Sequence, residues 1–171
     1  MHAEVVVLRF IHVMGGIIWV GGMTIMAFFV MPVLTGLGPA GGPAMAGLNQ
    51  RKFPVIMPII ALLTILSGLR LLMIDSANFA GAYFESPVGR TFATAGGLAI
   101  LAFLFGIVVV RPIMMKSMAV GQKMASADAG ERPRLEQEMV SLRKRGAVAN
   151  MIIFVVLLIA AAGMATARYM G

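Results

Sequence analysis

The chain has 171 residues, a net charge of +7 and no cysteine, and 60% of its residues are hydrophobic against 12% charged. Soluble domains are about half apolar and about a quarter charged. A surplus of apolar side chains on this scale, with a mean hydropathy of +0.93, must largely face lipid, which excludes a soluble enzyme, a disordered chain and a nucleic-acid binder.

Crossing roughly 30 Å of hydrocarbon takes about 20 helical residues, and four runs are long enough. They are continuous rather than alternating, so they read as helices whose backbone is satisfied internally. The pattern predicts an all-α integral membrane protein, an antiparallel four-helix bundle forming one domain over residues 1–171. The first run spans about Val5 to Leu34. It is too long for a signal-peptide core, has no basic start and no small-residue cleavage site after it, so it is expected to stay as helix 1. Residues 35–47 read TGLGPAGGPAMAG and are expected to lie as a loop against the membrane surface. They include a formal Gly-x-Gly-x-x-Gly from Gly36 to Gly41, but no strand precedes it and Pro39 interrupts it, so a dinucleotide site is not expected.

The second run spans Phe53 to Met73 and the third Thr91 to Val110. The third is expected to continue as helix past Pro112 to about Ser126. A turn at Asp128-Ala129-Gly130 follows, and Pro133 suits a helix first turn. Leu135, Met139 and Leu142 then recur at helical spacing as one apolar stripe. The fourth run spans Ala147 to Ala167. The 111–145 segment therefore predicts a helical hairpin projecting from the membrane between helices 3 and 4, solvated rather than a docking site.

Basic residues set the direction of insertion. One side carries Arg51, Lys52, Arg111, Lys116, Lys123, Arg132, Arg134, Arg143, Lys144 and Arg145; the other has Arg9, Arg70, Arg90 and Arg168. The richer side is expected to be cytoplasmic. Both termini and the 74–90 loop then face outward, in a bacterium toward the periplasm from the inner membrane.

Polar side chains within the spans cost roughly 3 kcal/mol at mid-helix and tend to mark function. Arg9, His12, Arg70 and Arg90 fall at a similar level near the outer face, with Asn150 and Arg168 near the ends of helix 4. No Asp or Glu lies deep in a span, which argues against a proton-driven exporter. A single imidazole beside three guanidinium groups is the pattern of a pocket for an anionic group at a ligating histidine; each Arg reaching the interface alone is the plainer alternative. Stepping along helix 1 from Arg9 gives His12, Gly15, Gly16, Trp19, Gly22, Met23 and Met26 on one stripe. The opposite stripe is Phe10, Ile11, Ile17, Ile18, Ile25 and Phe28. Small residues at such positions most often serve close helix contact; room for a flat ring beside His12 is the second reading. Met23 and Met26 form a Met-x-x-Met step whose soft thioethers would suit Cu(I), although methionine also fills apolar gaps.

The stretch Arg9-Phe10-Ile11-His12-Val13, followed by Trp19-Val20-Gly21-Gly22, resembles the first helix of a broad group of bacterial four-helix membrane proteins. The group includes copper-resistance D-like proteins and the b-haem membrane type of protoporphyrinogen oxidase. Thr64-Ile65-Leu66-Ser67-Gly68-Leu69 is similar to the group's Thr-x-x-x-Gly stretch, and the ending from Met164 to Tyr169 looks like that of further members. The resemblance implies a four-helix bundle and, in the oxidase branch, haem b ligated by His12. That branch carries a lysine near the start of helix 3, where this chain has Arg90 and Thr91.

Taken together, these residues predict a membrane cofactor-binding protein with haem b as the cofactor and a redox or haem-handling role. His12 is the expected metal ligand, with Arg9, Arg70, Arg90, Gly15, Gly16 and Trp19 around the cofactor. Copper handling by His12, Met23 and Met26 is the first alternative. A non-catalytic subunit of a membrane complex, or a homo-oligomer, is the second. The sequence holds no nucleophile–base pair, no paired carboxylates and no full metal-ligand set, so it assigns no enzymatic reaction.

Overall fold

The computed structural model describes residues 2–38 and 41–170. Every regular element among them is helical: α1 (His2–Ile25), a π-helical turn (Met26–Val30), α2 (Met31–Gly36), α3 (Gly41–Gln50), α4 (Phe53–Asp75), α5 (Gly81–Glu85), α6 (Pro87–Phe105), a second π turn (Gly106–Val110), α7 (Arg111–Ser126), α8 (Arg132–Thr166) and a closing 3₁₀ turn (Ala167–Tyr169). Four continuous rods among the described residues are long and apolar enough to cross a membrane: His2–Gly36, Phe53–Asp75, Pro87–Ser126 and Arg132–Tyr169.

Each π turn has a local cause. Pro32 and Pro112 stand at the second residue of α2 and α7. A proline ring collides with the carbonyl four residues back and offers no N–H to it. The turn before each proline widens instead, and the N–H of Met31 and of Arg111 reaches the carbonyl five residues back, on Met26 and Gly106. The rods stay continuous through both prolines.

One layer of side chains ties all four rods together. Trp19 of α1, Ala61 of α4, Ala102 of α6, and Ile153 and Leu157 of α8 are buried against one another. The alanines make room for the indole. α1 packs most extensively on α4 and α6 on α8, with further contact between α4 and α6 and between α1 and α8. Along α1 and α4 the paired positions run in opposite order: Met57 lies at Gly22, Thr64 at Gly15 and Gly68 at His12. Phe28 meets the edge of Phe154 with ring centroids 5.0 Å apart.

The two expected stripes of α1 are present. From His12 to Met26 the inner stripe is buried or half-buried, whereas Phe10, Ile11, Ile17, Ile18, Ile25 and Phe28 are exposed. Each such side chain left in water would forgo about 1.5–3 kcal/mol of burial. The outward apolar surface, which reaches 69% exposure at Val108, fits contact with a lipid bilayer.

The hairpin beyond the third and fourth rods is formed by α7 and α8, and α7 ends at Ser126. Asp128 Oδ1 accepts the N–H groups of Gly130 and Glu131 at 2.9 Å each and closes the turn. The Leu135–Met139–Leu142 stripe is taken up by α7: Leu142 and Val120 are buried, and Met139 reaches Gly121. Lys116 and Glu138 add an ion pair at 3.3 Å. Hairpin and fourth span are one 35-residue helix.

Two connections differ from expectation. The 35–47 segment is partly helical, because Pro43 occupies the first turn of α3 and Ala44, Met45, Ala46 and Leu48 are good helix formers. Pro39 and Ala40, within the Gly-x-Gly-x-x-Gly stretch, lie outside the described residues. The 74–90 loop holds the short helix α5 and a turn in which Ala77, Asn78 and Phe79 all have positive φ, between 50° and 64°. Buried Ser76 fastens that turn by accepting the Phe79 N–H at 2.9 Å.

Candidate functional site around His12

His12 projects from the inner stripe of α1 onto α4. Its Nδ1 lies 2.8 Å from the backbone carbonyl oxygen of Thr64. A carbonyl can only accept, so Nδ1 is the donor in this contact. Nε2 has no hydrogen-bond partner among the described residues, and it is not sealed from its surroundings. The Thr64 carbonyl also accepts from Ser67 Oγ at 3.0 Å, and Thr64 Oγ1 donates to the Ile60 carbonyl at 2.8 Å.

Two glycines, one on each helix, make this contact possible. A Cβ on Gly68 would stand 2.6 Å from His12 Cε1 and 2.8 Å from Nδ1. A Cβ on Gly15 would run into Thr64 Oγ1. Each helix thus receives the other's side chain at a bare backbone position. Both recesses are filled by the protein's own atoms and leave no slot there for a flat ligand. Gly16 is less constrained, because a methyl on it would meet Thr64 Cγ2 at an ordinary 3.9 Å. Trp19 belongs to the core layer, seven residues or about 10 Å along α1 from His12.

The guanidinium groups do not converge on the imidazole. Arg70 directs Nε and Nη2 to Glu4 Oε1 at 2.9 and 2.6 Å. Arg90 directs Nε and Nη2 to the Glu85 carbonyl at 3.2 and 2.6 Å. Arg9, one turn from His12, is exposed and has no ion pair or side-chain hydrogen bond among the described residues. Measured along the helices from the Trp19 layer, Arg9, Arg70 and Arg90 lie about 15, 14 and 18 Å away. They share a level without sharing a pocket. A small cavity of about 250 Å³ opens between the N-terminal end of α1 and the C-terminal end of α4, beside Glu4, Val5, Arg70, Met73 and Asn78. It falls below the roughly 300–1,000 Å³ of a typical ligand pocket.

Sequence reasoning missed Thr64 as the acceptor for His12 and Glu4 as the partner of Arg70. The signal for Glu4 was its position, because it is one of three carboxylates at that end, with Asp75 and Glu85. Met23 packs against the core layer eleven residues from His12, about 16 Å along the helix, so the two cannot hold one ion. Among the described residues no three His, Cys, Asp or Glu side chains gather around a possible metal position.

No protein-family model, no curated protein and no solved structure matches the chain. The functional reading therefore rests on the site itself. Its chemistry is that of a single imidazole in a fixed orientation. Backbone carbonyls commonly hold the far nitrogen of a ligating histidine in this way, orienting the ring and raising its basicity. Such a ring could supply one ligand to a metal, and no second ligand stands beside it among the described residues.

Proposed function

We infer that the protein is a multi-pass membrane protein built as an antiparallel four-helix bundle, which binds one b-type haem through His12 Nε2 and serves a redox or haem-handling role. The observation that carries this reading is the 2.8 Å contact from His12 Nδ1 to the Thr64 carbonyl, which orients the ring and leaves Nε2 without a hydrogen-bond partner among the described residues. Arg9, one turn from His12 and without an ion pair among the described residues, is the cation free to meet a propionate, whereas Arg70 and Arg90 would have to leave Glu4 and the Glu85 carbonyl. Bound haem would supply one-electron chemistry; the chain supplies the ligand, its orientation and the neighbouring charge. The absorption spectrum of the purified protein tests this. A Soret band lost in His12→Ala is the expected result. A colourless protein from haem-sufficient cells that takes up no haem on titration would overturn it. Copper at a joint His12–Met23 site is disfavoured by the 16 Å between them.

The excess of basic residues in the hairpin supports a cytoplasmic hairpin and outward termini in a bacterial inner membrane. The chain has no cysteine, so single substitutions such as Ser126→Cys and Ala80→Cys can be labelled from either side. Ser126→Cys should react only from the cytoplasm and Ala80→Cys only from outside.

A further inference from the structure

We propose that the hairpin end of the bundle is a binding belt for anionic phospholipid headgroups, formed by Arg51, Lys52, Arg111, Arg143, Lys144 and Arg145. This reading is independent of any cofactor at His12. Three separate helical rods deliver these cations to one depth. Lys52 precedes Ala61 of the core layer by nine residues, Arg111 follows Ala102 by nine, and Arg145 precedes Ile153 by eight. At 1.5 Å per residue these are about 12–14 Å. Half a hydrocarbon core is roughly 15 Å, so all three stand where acyl chains give way to headgroups. A Cβ built on Gly146 would meet Ile113 Cγ2 at 3.6 Å, so the 143–145 run of α8 lies level with the first turn of α7.

The belt contains no carboxylate. The hairpin's acids, Asp128, Glu131, Glu136 and Glu138, all lie farther from the core layer. The nearest, Glu138, is engaged by Lys116 at 3.3 Å. None of the six belt cations forms an ion pair among the described residues, and five of them are exposed. The opposite end of the bundle is different: Glu4, Asp75 and Glu85 are interspersed among its four arginines, and Glu4 neutralises Arg70. That end thus sets three carboxylates against four arginines, whereas the belt sets none against six cations. Met115 and Met118, 58% and 38% exposed, project beside the cations in the same stretch of α7. Exposed thioethers among cations suit the glycerol and headgroup layer better than the surface of an acidic protein.

The test uses full-length protein reconstituted in nanodiscs of mixed phosphatidylcholine and phosphatidylglycerol, with the lipid retained after mild extraction counted by mass spectrometry. The native protein should retain phosphatidylglycerol over phosphatidylcholine. Replacing Arg143, Lys144 and Arg145 together by Gln should erode that preference by about five-fold per charge. Replacing Lys123, Arg132 and Arg134 by Gln at the hairpin tip removes the same charge farther out and should leave the preference intact. Arg143→Lys with Arg145→Lys keeps the charge and should also retain it. Should the triple belt variant fail to fold, Lys52→Gln and Arg111→Gln should each give a single graded step. Equal retention of both lipids by the native protein, an equal loss in the tip variant, or an acidic protein retained in place of lipid would each overturn the proposal.

Discussion

His12 and Gly68 meet across α1 and α4 with no space for a methyl group between them, since a Cβ on Gly68 would lie 2.6 Å from His12 Cε1. Thr64, one turn before Gly68 on the same helix, holds Nδ1 through its carbonyl, so the ring cannot draw back from α4 without losing its hydrogen bond. Gly68→Ala should therefore displace the imidazole and destabilise the protein by about 1–3 kcal/mol, the usual cost of overpacking. Gly97→Ala is the matched control, because nothing lies within 4 Å of its Cβ position; it should change stability by less than about 0.5 kcal/mol. Thermal unfolding in detergent, followed by circular dichroism, compares the two.

Gly15 and Thr64 form the other half of the same contact. Gly15→Ala should destabilise by about 1–3 kcal/mol, because the Thr64 hydroxyl is tied to the Ile60 carbonyl at 2.8 Å and cannot swing aside freely. Combining it with Thr64→Ala removes the obstructing group. The double variant should recover at least part of the loss, giving a coupling of about 0.5–3 kcal/mol. Strictly additive unfolding data for the four proteins would contradict the contact.

The Glu4–Arg70 pair joins residues 66 apart in sequence, yet its side chains are 43% and 44% exposed. Solvent screening keeps such a pair below about 1 kcal/mol. Glu4→Gln should shift stability by no more than that, and the difference should shrink in about 1 M salt, where the screening length is about 3 Å. Paired melting curves at low and high salt measure it.

Tyr83, in α5 outside the spans, has its phenol pKa pushed above the ordinary value of 10.0 by burial and by nearby Asp75, with Arg168 opposing. The folded state thus holds the phenolic proton more tightly than the unfolded chain does. The associated stability is fully present below about pH 10 and is lost as pH rises through the higher folded value. Tyr83→Phe should remove this contribution, so its melting temperature should fall less steeply than that of the native protein above pH 10. Parallel slopes for the two proteins would refute the assignment.

Much of this architecture was legible because it is local. Span lengths follow from uninterrupted apolar runs, and the two faces of α1 follow from spacing alone. Pro133 and Asp128 fix the hairpin turn through chemistry confined to six residues. What depended on a distant partner was not legible. Gly15 and Gly16 are equivalent in sequence, and only the crossing of α1 over α4 decides that Thr64 sits on the first. The three arginines could be assigned a common height from their positions, but the acceptors that Arg70 and Arg90 turn toward are set by where Glu4 and the Glu85 carbonyl happen to lie. The helical start of α3 was written in Pro43 and the alanines after it, and was obscured by the glycines around them.

The widened turns before Pro32 and Pro112 each hold one residue more than an ordinary helical turn. Buried and half-buried positions still recur every three or four residues through both turns, at Met23, Met26, Val30 and Leu34 and at Ala102, Gly106, Val110, Ile113 and Ser117, so the inward face runs on past each proline. Shortening either rod by one position, between Met26 and Val30 or between Gly106 and Val110, would restore an ordinary turn and set the proline ring against the carbonyl four residues back, so the extra residue and the proline belong together.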